Sequence, residues 1–197
     1  MNKWAFVAEK VMHGNPSGVD NSVSIHGGAL AFSRAHGGRK GKMEGIGGFK
    51  SVRFLLTDSR VPRDSKRLIA GVAQKLEEVS DALRSGVVDL WSNFLPKKII
   101  QDRQRIQGVM DDIQRIADEG SLLLSDPEVP REKMLQALAS LMEENHVHLN
   151  TIGVSHPSLE EIREVTSTFG LSTKLTGAGG GGCAVTLVPD GASSVLD

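Results

Sequence analysis

Two groups of residues in this chain have types and spacing that could do chemistry. The first is His13-Gly14-Asn15-Pro16-Ser17-Gly18-Val19-Asp20-Asn21, with Glu9 four residues before His13. Two carboxylates flank a loop stiffened by a proline and turned by two glycines. A stiff loop holds an acid still, as a general base requires. The second group is Thr176-Gly177-Ala178-Gly179-Gly180-Gly181-Gly182-Cys183. Such a run is entropically costly to order. Folded chains keep it mostly where backbone N–H groups must closely approach a ligand or another loop. Together the two groups predict a nucleotide's phosphates held between an acidic corner and a glycine loop.

The ordinary alternatives stand beside that reading. Glu9 alone reads as a solvated helix acid, Asp20 as a helix-start acid and His13 as a helix C-cap. The glycine run alone could be a structural turn between strands. Gly177, Gly179 and Gly182 spell G-x-G-x-x-G, but a dinucleotide fingerprint needs a helix after it, and Ala184-Val185-Thr186-Leu187-Val188 reads as a strand. A Walker loop needs Lys-Ser/Thr where this chain has Cys183-Ala184. No H-R-D or D-F-G motif follows, so a protein kinase is excluded. His146 and His148 are two apart on a helix and point to different faces, a poor zinc site. Cys183 has no helix N-terminus or base to activate it and reads as a small packing residue.

The elements that must position these residues follow from hydrophobic period. Trp4, Val7, Ala8, Val11 and Met12 predict a helix over 3–13 that Gly14 ends. A short helix begins near Gly18 with Asp20 in its first turn, where the dipole favours an anion. Alternation over 27–57 predicts an antiparallel meander. A helix capped by Asp64 or Ser65 carries the stripe Leu68, Ile69, Val72, Leu76 and Val79. The stretch 80–104 is irregular, broken by Gly86 and Pro96. Ile106, Val109, Met110, Ile113 and Ile116 mark the next helix. Met134, Leu138, Leu141, Met142 and Leu149 mark another. A shorter one follows His156-Pro157, with a Ser158/Glu161 capping box and Gly170 as its stop. The fold class is α+β, with helices filling 66–170 and strands on either side.

Totals limit the function. The sequence has 197 residues and a net charge of −1, from 23 Lys and Arg against 24 Asp and Glu. No overall field draws it to nucleic acid or an anionic membrane. The cluster Arg39-Lys40-Gly41-Lys42 lacks interleaved aromatics and reads as a solvated loop. One cysteine excludes a disulfide framework and fits a reducing, cytoplasmic setting. No apolar run approaches a membrane span, and the first residues carry no signal-peptide pattern.

In combination these segments resemble the GHMP small-molecule kinases. The residues that carry the resemblance are Asn2-Lys3-Trp4-Ala5-Phe6, Glu9, the whole of His13 to Asn21, and Val61-Pro62-Arg63. They continue with His148-Leu149-Asn150, Gly153-Val154 and the run from Lys174 to Cys183. The wording of the two loops is closest to the branch that phosphorylates mevalonate, rather than galactose or homoserine. The resemblance implies the end of an N-terminal domain over 1–60 and a helix-rich α+β C-terminal domain over 61–197. It implies ATP and Mg²⁺ as cofactors, mevalonate as substrate, and phosphorylation of its 5-hydroxyl. It casts Asp20 as the catalytic base and Glu9 as the metal ligand. Gly177, Ala178, Gly179, Gly180 and Gly181 become the cofactor-binding run, and His13 and Ser65 lie toward the substrate. Phosphomevalonate as substrate, a purely binding role, and pairing into a homodimer stay open. The principal phosphate loop of the family, Pro-x-x-x-Gly-Leu-Gly-Ser-Ser-Ala, and its N-terminal lysine are absent from these residues. The expectation is that this polypeptide alone neither binds ATP tightly nor turns over.

Overall fold

The computed structural model describes residues 2–13, 17–33, 41–48, 50–62, 68, 71 and 97–192, of which 2, 12, 13 and 97–103 by their backbone. They fall into two compact units: Met1–Ser51 with Ser121–Pro130, and Val52–Gly120 with Arg131–Asp197.

The first unit opens with α1 (Asn2–His13), as the helical period predicts, and α2 (Val19–His26). Gly18 enters α2 in the left-handed region (φ 81°), and Asp20 lies in the first turn. A Cβ at Gly18 would stand 3.3 Å from the Phe6 ring, so the glycine lets α1 and α2 pack closely. The strands β1 (Leu30–Ser33) and β2 (Lys42–Gly45) form an antiparallel pair. Lys50 donates to the Pro127 carbonyl at 2.8 Å and also to that of Val129.

The expected meander does not continue into β3 (Arg53–Asp58). That strand leaves the β1–β2 pair and joins the second unit, whose sheet has the order β3-β5-β4. Here β4 is Thr173–Leu175 and β5 is Cys183–Val188. Both pairings are antiparallel, with Leu56 opposite Val185 and Leu175 opposite Ala184. Alternation in β3 is real, but its partner lies about 130 residues away, beyond what local pattern can specify. On one face of the sheet Thr173 and Thr186 share a 2.7 Å hydroxyl contact, and Thr173 shares another with Thr166.

Among the described residues this unit also holds α3 (Lys97–Ser125, its last turn in the first unit), α4 (Arg131–Thr151) and α5 (Pro157–Ser167). Helix α3 is described from Lys97, so the part of the irregular stretch from 97 to 104 is helical, and 80–96 lie outside the described residues. The expected Ser158 cap gives way to a residue two positions earlier. His156 is the N-cap of α5, its ring nitrogen accepting from the Ser158 N–H at 3.2 Å, and Pro157 occupies the first turn. Gly170 does close the helix, in a Schellman arrangement: the Leu171 N–H reaches the Thr166 carbonyl at 3.2 Å and the Gly170 N–H reaches Ser167 at 2.9 Å. The helix expected from Asp64 or Ser65 lies outside the described residues, apart from Leu68 and Gly71, both helical. Val109, Ile152, Val154, Leu159, Leu175 and Ala184 form the core, with Ile106, Ile113, Leu149 and Ile162 against it.

Candidate functional site

The glycine loop joins β4 to β5 over one end of that core. Thr176 closes it at the base, its N–H and hydroxyl both donating to the Cys183 carbonyl, at 3.1 and 2.9 Å. Gly177, Gly179, Gly180, Gly181 and Gly182 all have positive φ, from 65° to 125°. Two other segments grip the loop. On one side the Gly180 N–H donates to the Val154 carbonyl at 2.8 Å. On the other the Gly182 N–H donates to the Val61 carbonyl at 2.9 Å, and the Gly182 carbonyl accepts from Ser59.

Close approach explains three of the glycines directly. A Cβ at Gly179 would lie 1.9 Å from the Val154 oxygen; one at Gly181 would lie 2.6 Å from the Val61 oxygen. At Gly180 it would meet the Leu68 side chain at 2.2 Å. The loop is thus tightly packed by its own chain at 179–181. Gly177 and Ala178 form its accessible tip, exposed and half-buried respectively. No hydrogen bond among the described residues takes the amides of Gly177, Ala178, Gly179 or Gly181. Backbone amides in left-handed turns of this kind suit an anion, so the loop fits a phosphate.

The gripping segments carry their own backbone devices. Gly153 (φ 82°) ends α4, and the Val154 N–H returns to the Leu149 carbonyl at 3.2 Å. That turn aims the Val154 carbonyl at the loop. On the other side Arg60 is the only non-glycine with positive φ (56°) among the described residues, and its N–H is held by the Asp58 carboxylate at 2.9 Å.

The acids belong to the first unit. Glu9 is half-buried on α1 and Asp20 is exposed at the start of α2, with the two helices packed together at Phe6 and Gly18. A single carboxylate such as Glu9 is enough protein ligand for a magnesium ion that takes its other ligands from phosphate and water. Asn21 and Ser22, next to Asp20, are buried. His13 is the last residue of α1, described by its backbone, and Ser65 lies outside the described residues. No group of three metal-ligating side chains occurs among the described residues. The rings of His146 and His148 point apart as expected. One is buried against Glu160; the other lies 3.6 Å from Glu144 and 3.8 Å from Asp112.

Sequence reasoning missed two features beside the loop. Burial lowers the Lys174 ammonium below the ordinary lysine range; its Nζ donates to the Leu175 carbonyl at 3.0 Å, and no carboxylate among the described residues pairs with it. Glu160 is the other. Burial pushes its carboxyl up, but contacts from Ser155 and His146 and the charge of Arg163 outweigh that and hold it below the ordinary range. The capping pattern at Ser158 drew attention to Glu161 instead. Only its contacts with Ser155 and with His146 of α4 show that Glu160 faces inward.

A sequence profile of the GHMP kinases C terminal matches residues 130–197, the span holding α4, α5, β4, the glycine loop and β5. Residues 130–197 are a GHMP kinase C-terminal domain. The chain is 38% identical to mevalonate kinase of Mus musculus and 36% identical to that of Homo sapiens, in each case over 97% of this chain and 41% of the relative. It therefore spans about two fifths of the curated relatives it matches. The GHMP kinase fold extends across the chain: a crystal structure of L. major mevalonate kinase in complex with R-mevalonate superposes with a TM-score of 0.70 at 24% identity, covering 96% of this chain and 49% of that one. The Methanococcus jannaschii mevalonate kinase superposes at 0.67. No described helix is long and apolar enough to cross a membrane.

Proposed function

We propose that this chain supplies the catalytic base and the third glycine motif of an ATP-dependent kinase that phosphorylates the 5-hydroxyl of (R)-mevalonate. The observation that carries the reading is the glycine loop: a strand-loop-strand in a GHMP kinase domain, with the amides at its tip unclaimed among the described residues. Similarity to mevalonate kinases over 97% of the chain supports the choice of substrate. A relative solved with R-mevalonate shares the fold.

In this reading residues 1–60 close an N-terminal domain and 61–197 form the C-terminal one. Phosphoryl transfer asks the protein mainly to position and neutralise. Magnesium-bound ATP supplies the phosphoryl group and offsets its charge. The amides of Gly177 and Ala178 orient phosphate oxygens, while Gly179, Gly180 and Gly181 hold the tip in place. Glu9 donates carboxylate oxygen to the metal. Asp20 accepts the proton of the 5-hydroxyl late, as that oxygen bonds to phosphorus. His13 and Ser65 lie on the substrate side.

The test joins this chain to the remainder of the mouse enzyme and follows ADP release with mevalonate and Mg²⁺. The chimera turns over, and Asp20→Asn lowers its rate by about 10² to 10⁴. An unchanged rate in that variant would remove Asp20 from the mechanism. Phosphomevalonate used in place of mevalonate would move the assignment to phosphomevalonate kinase. The 197 residues alone give no magnesium-dependent ADP release.

A further inference from the structure

A line of polar contacts that phosphoryl transfer does not use runs beneath the glycine loop. His146, on α4, is 1% exposed. Its Nδ1 accepts the backbone N–H of Leu175 at 3.2 Å, and its Nε2 lies 2.9 Å from Glu160 Oε1. Accepting at Nδ1 leaves the ring proton on Nε2, which therefore donates to Glu160. The Ser155 hydroxyl donates to the same carboxylate oxygen. The line touches the loop in two places. Ser155 follows Val154, whose carbonyl holds the Gly180 N–H. Leu175 is the last residue of β4, two before the first glycine, and its N–H points away from β5, on an edge that would otherwise be open.

We propose that Ser155, Glu160 and His146 form a clamp that sets the position of the glycine loop. It acts through the Val154 carbonyl on Gly180 and through the Leu175 amide on the strand that enters the loop. His146 and Glu160 are thereby positioning residues for phosphoryl transfer; this last step alone rests on the kinase reading above. A buried histidine held by polar partners is an expensive way to fill space. Apolar side chains would pack the same volume without a desolvation cost. What such a line adds is a single arrangement, because removing His146 or Glu160 takes a hydrogen bond from each of its partners.

The test is residue-resolved amide hydrogen exchange on this chain, comparing Gly180, tied to Val154, with Gly182, tied to Val61. In His146→Ala and in Glu160→Gln, which keeps the shape of the side chain, Gly180 exchanges about tenfold faster relative to Gly182, as loss of one buried hydrogen bond implies. His146→Asn keeps an acceptor for the Leu175 N–H, and His146→Gln keeps a donor for Glu160. Each restores part of the protection, and His146→Asn restores that of Leu175 itself. Met142→Ala, a cavity elsewhere on α4, speeds both glycines alike. If the Gly180 to Gly182 ratio stays constant in Glu160→Gln and His146→Asn does no better than His146→Ala, the clamp is wrong. A ratio raised as much by Met142→Ala would overturn it too. Should His146→Ala not fold, Glu160→Gln and the Asn and Gln variants decide the matter. A titration of the chimera with the mouse enzyme, using Mg²⁺ and a non-hydrolysable ATP analogue and read at Gly177 and Ala178, tests the kinase reading separately. A clamp that loosens as expected with no ligand shift at the tip keeps the clamp and removes its catalytic purpose.

Discussion

The unit that carries the acids and the unit that carries the glycine loop are built differently. In the second, buried residues are large and apolar: Met134, Leu159 and Leu175 are among its fully enclosed side chains. In the first, the buried positions among the described residues are Gly18, Asn21 and Ser22. None of its described large apolar residues is fully buried, and Trp4 is 80% and Val11 81% exposed. A two-stranded pair such as β1–β2 is marginal by itself. The second unit therefore has an internal reason to hold its loop rigid, whereas the helices bearing Glu9 and Asp20 derive little from burial within their own unit. Loop position is a property of a packed core; acid position depends on short-range packing at Phe6 and Gly18.

Core truncation should break this contrast most visibly. Leu159→Ala, at a residue 1% exposed, lowers the stability of the second unit by about 2–5 kcal/mol in chemical denaturation. Next come the glycines. Gly179→Ala sets a Cβ against the Val154 oxygen in a left-handed conformation and costs about 3 kcal/mol, read as a fall in Tm. Gly170→Ala has the same handedness with nothing within 4 Å, and costs about 1 kcal/mol. Equal losses at the two sites would mean the loop is not gripped.

The acid limb of stability is a smaller effect. Glu160 is held below its ordinary value of 4.5 in the folded state. Its contribution is present above that value and fades as pH falls through the lower, folded one. Glu160→Gln flattens unfolding curves in that acidic window and leaves their slope near neutrality unchanged. Smallest of all, Trp4→Ala changes stability by less than about 0.5 kcal/mol, since the ring already lies in solvent. A large loss there would show that α1 contributes more to folding than its exposure implies.

Much of this was legible where a local rule decides the outcome. Helical period located α1, α4 and α5, and Gly170 stopped its helix through a left-handed turn. The glycine run announced a loop between strands, because β-branched residues followed it where a nucleotide-binding helix was required. Three kinds of information were not local. The partner of β3 is a strand far along the chain, so alternation over 27–57 read as one meander. The stripe Trp4, Val7 and Val11 has the period of a buried face yet is exposed, because period reports which residues share a face and not what covers it. His146 and Glu160 look like any helical histidine and glutamate until α4, α5 and β4 are brought together. At the glycines the sequence pointed to close approach, and the approach at 179–181 is to Val154, Leu68 and Val61.

The central claim is that the acidic corner and the tip of the glycine loop serve one nucleotide. Manganese, bound with a non-hydrolysable ATP analogue in the chimera with the mouse enzyme, relaxes nearby amide signals steeply with distance. The account predicts simultaneous broadening at Glu9, at Asp20 and at Gly177 and Ala178, with the acids broadened most and all four recovering when magnesium displaces manganese. Broadening at the acids with the loop tip untouched, or at the tip with Asp20 untouched, would contradict it.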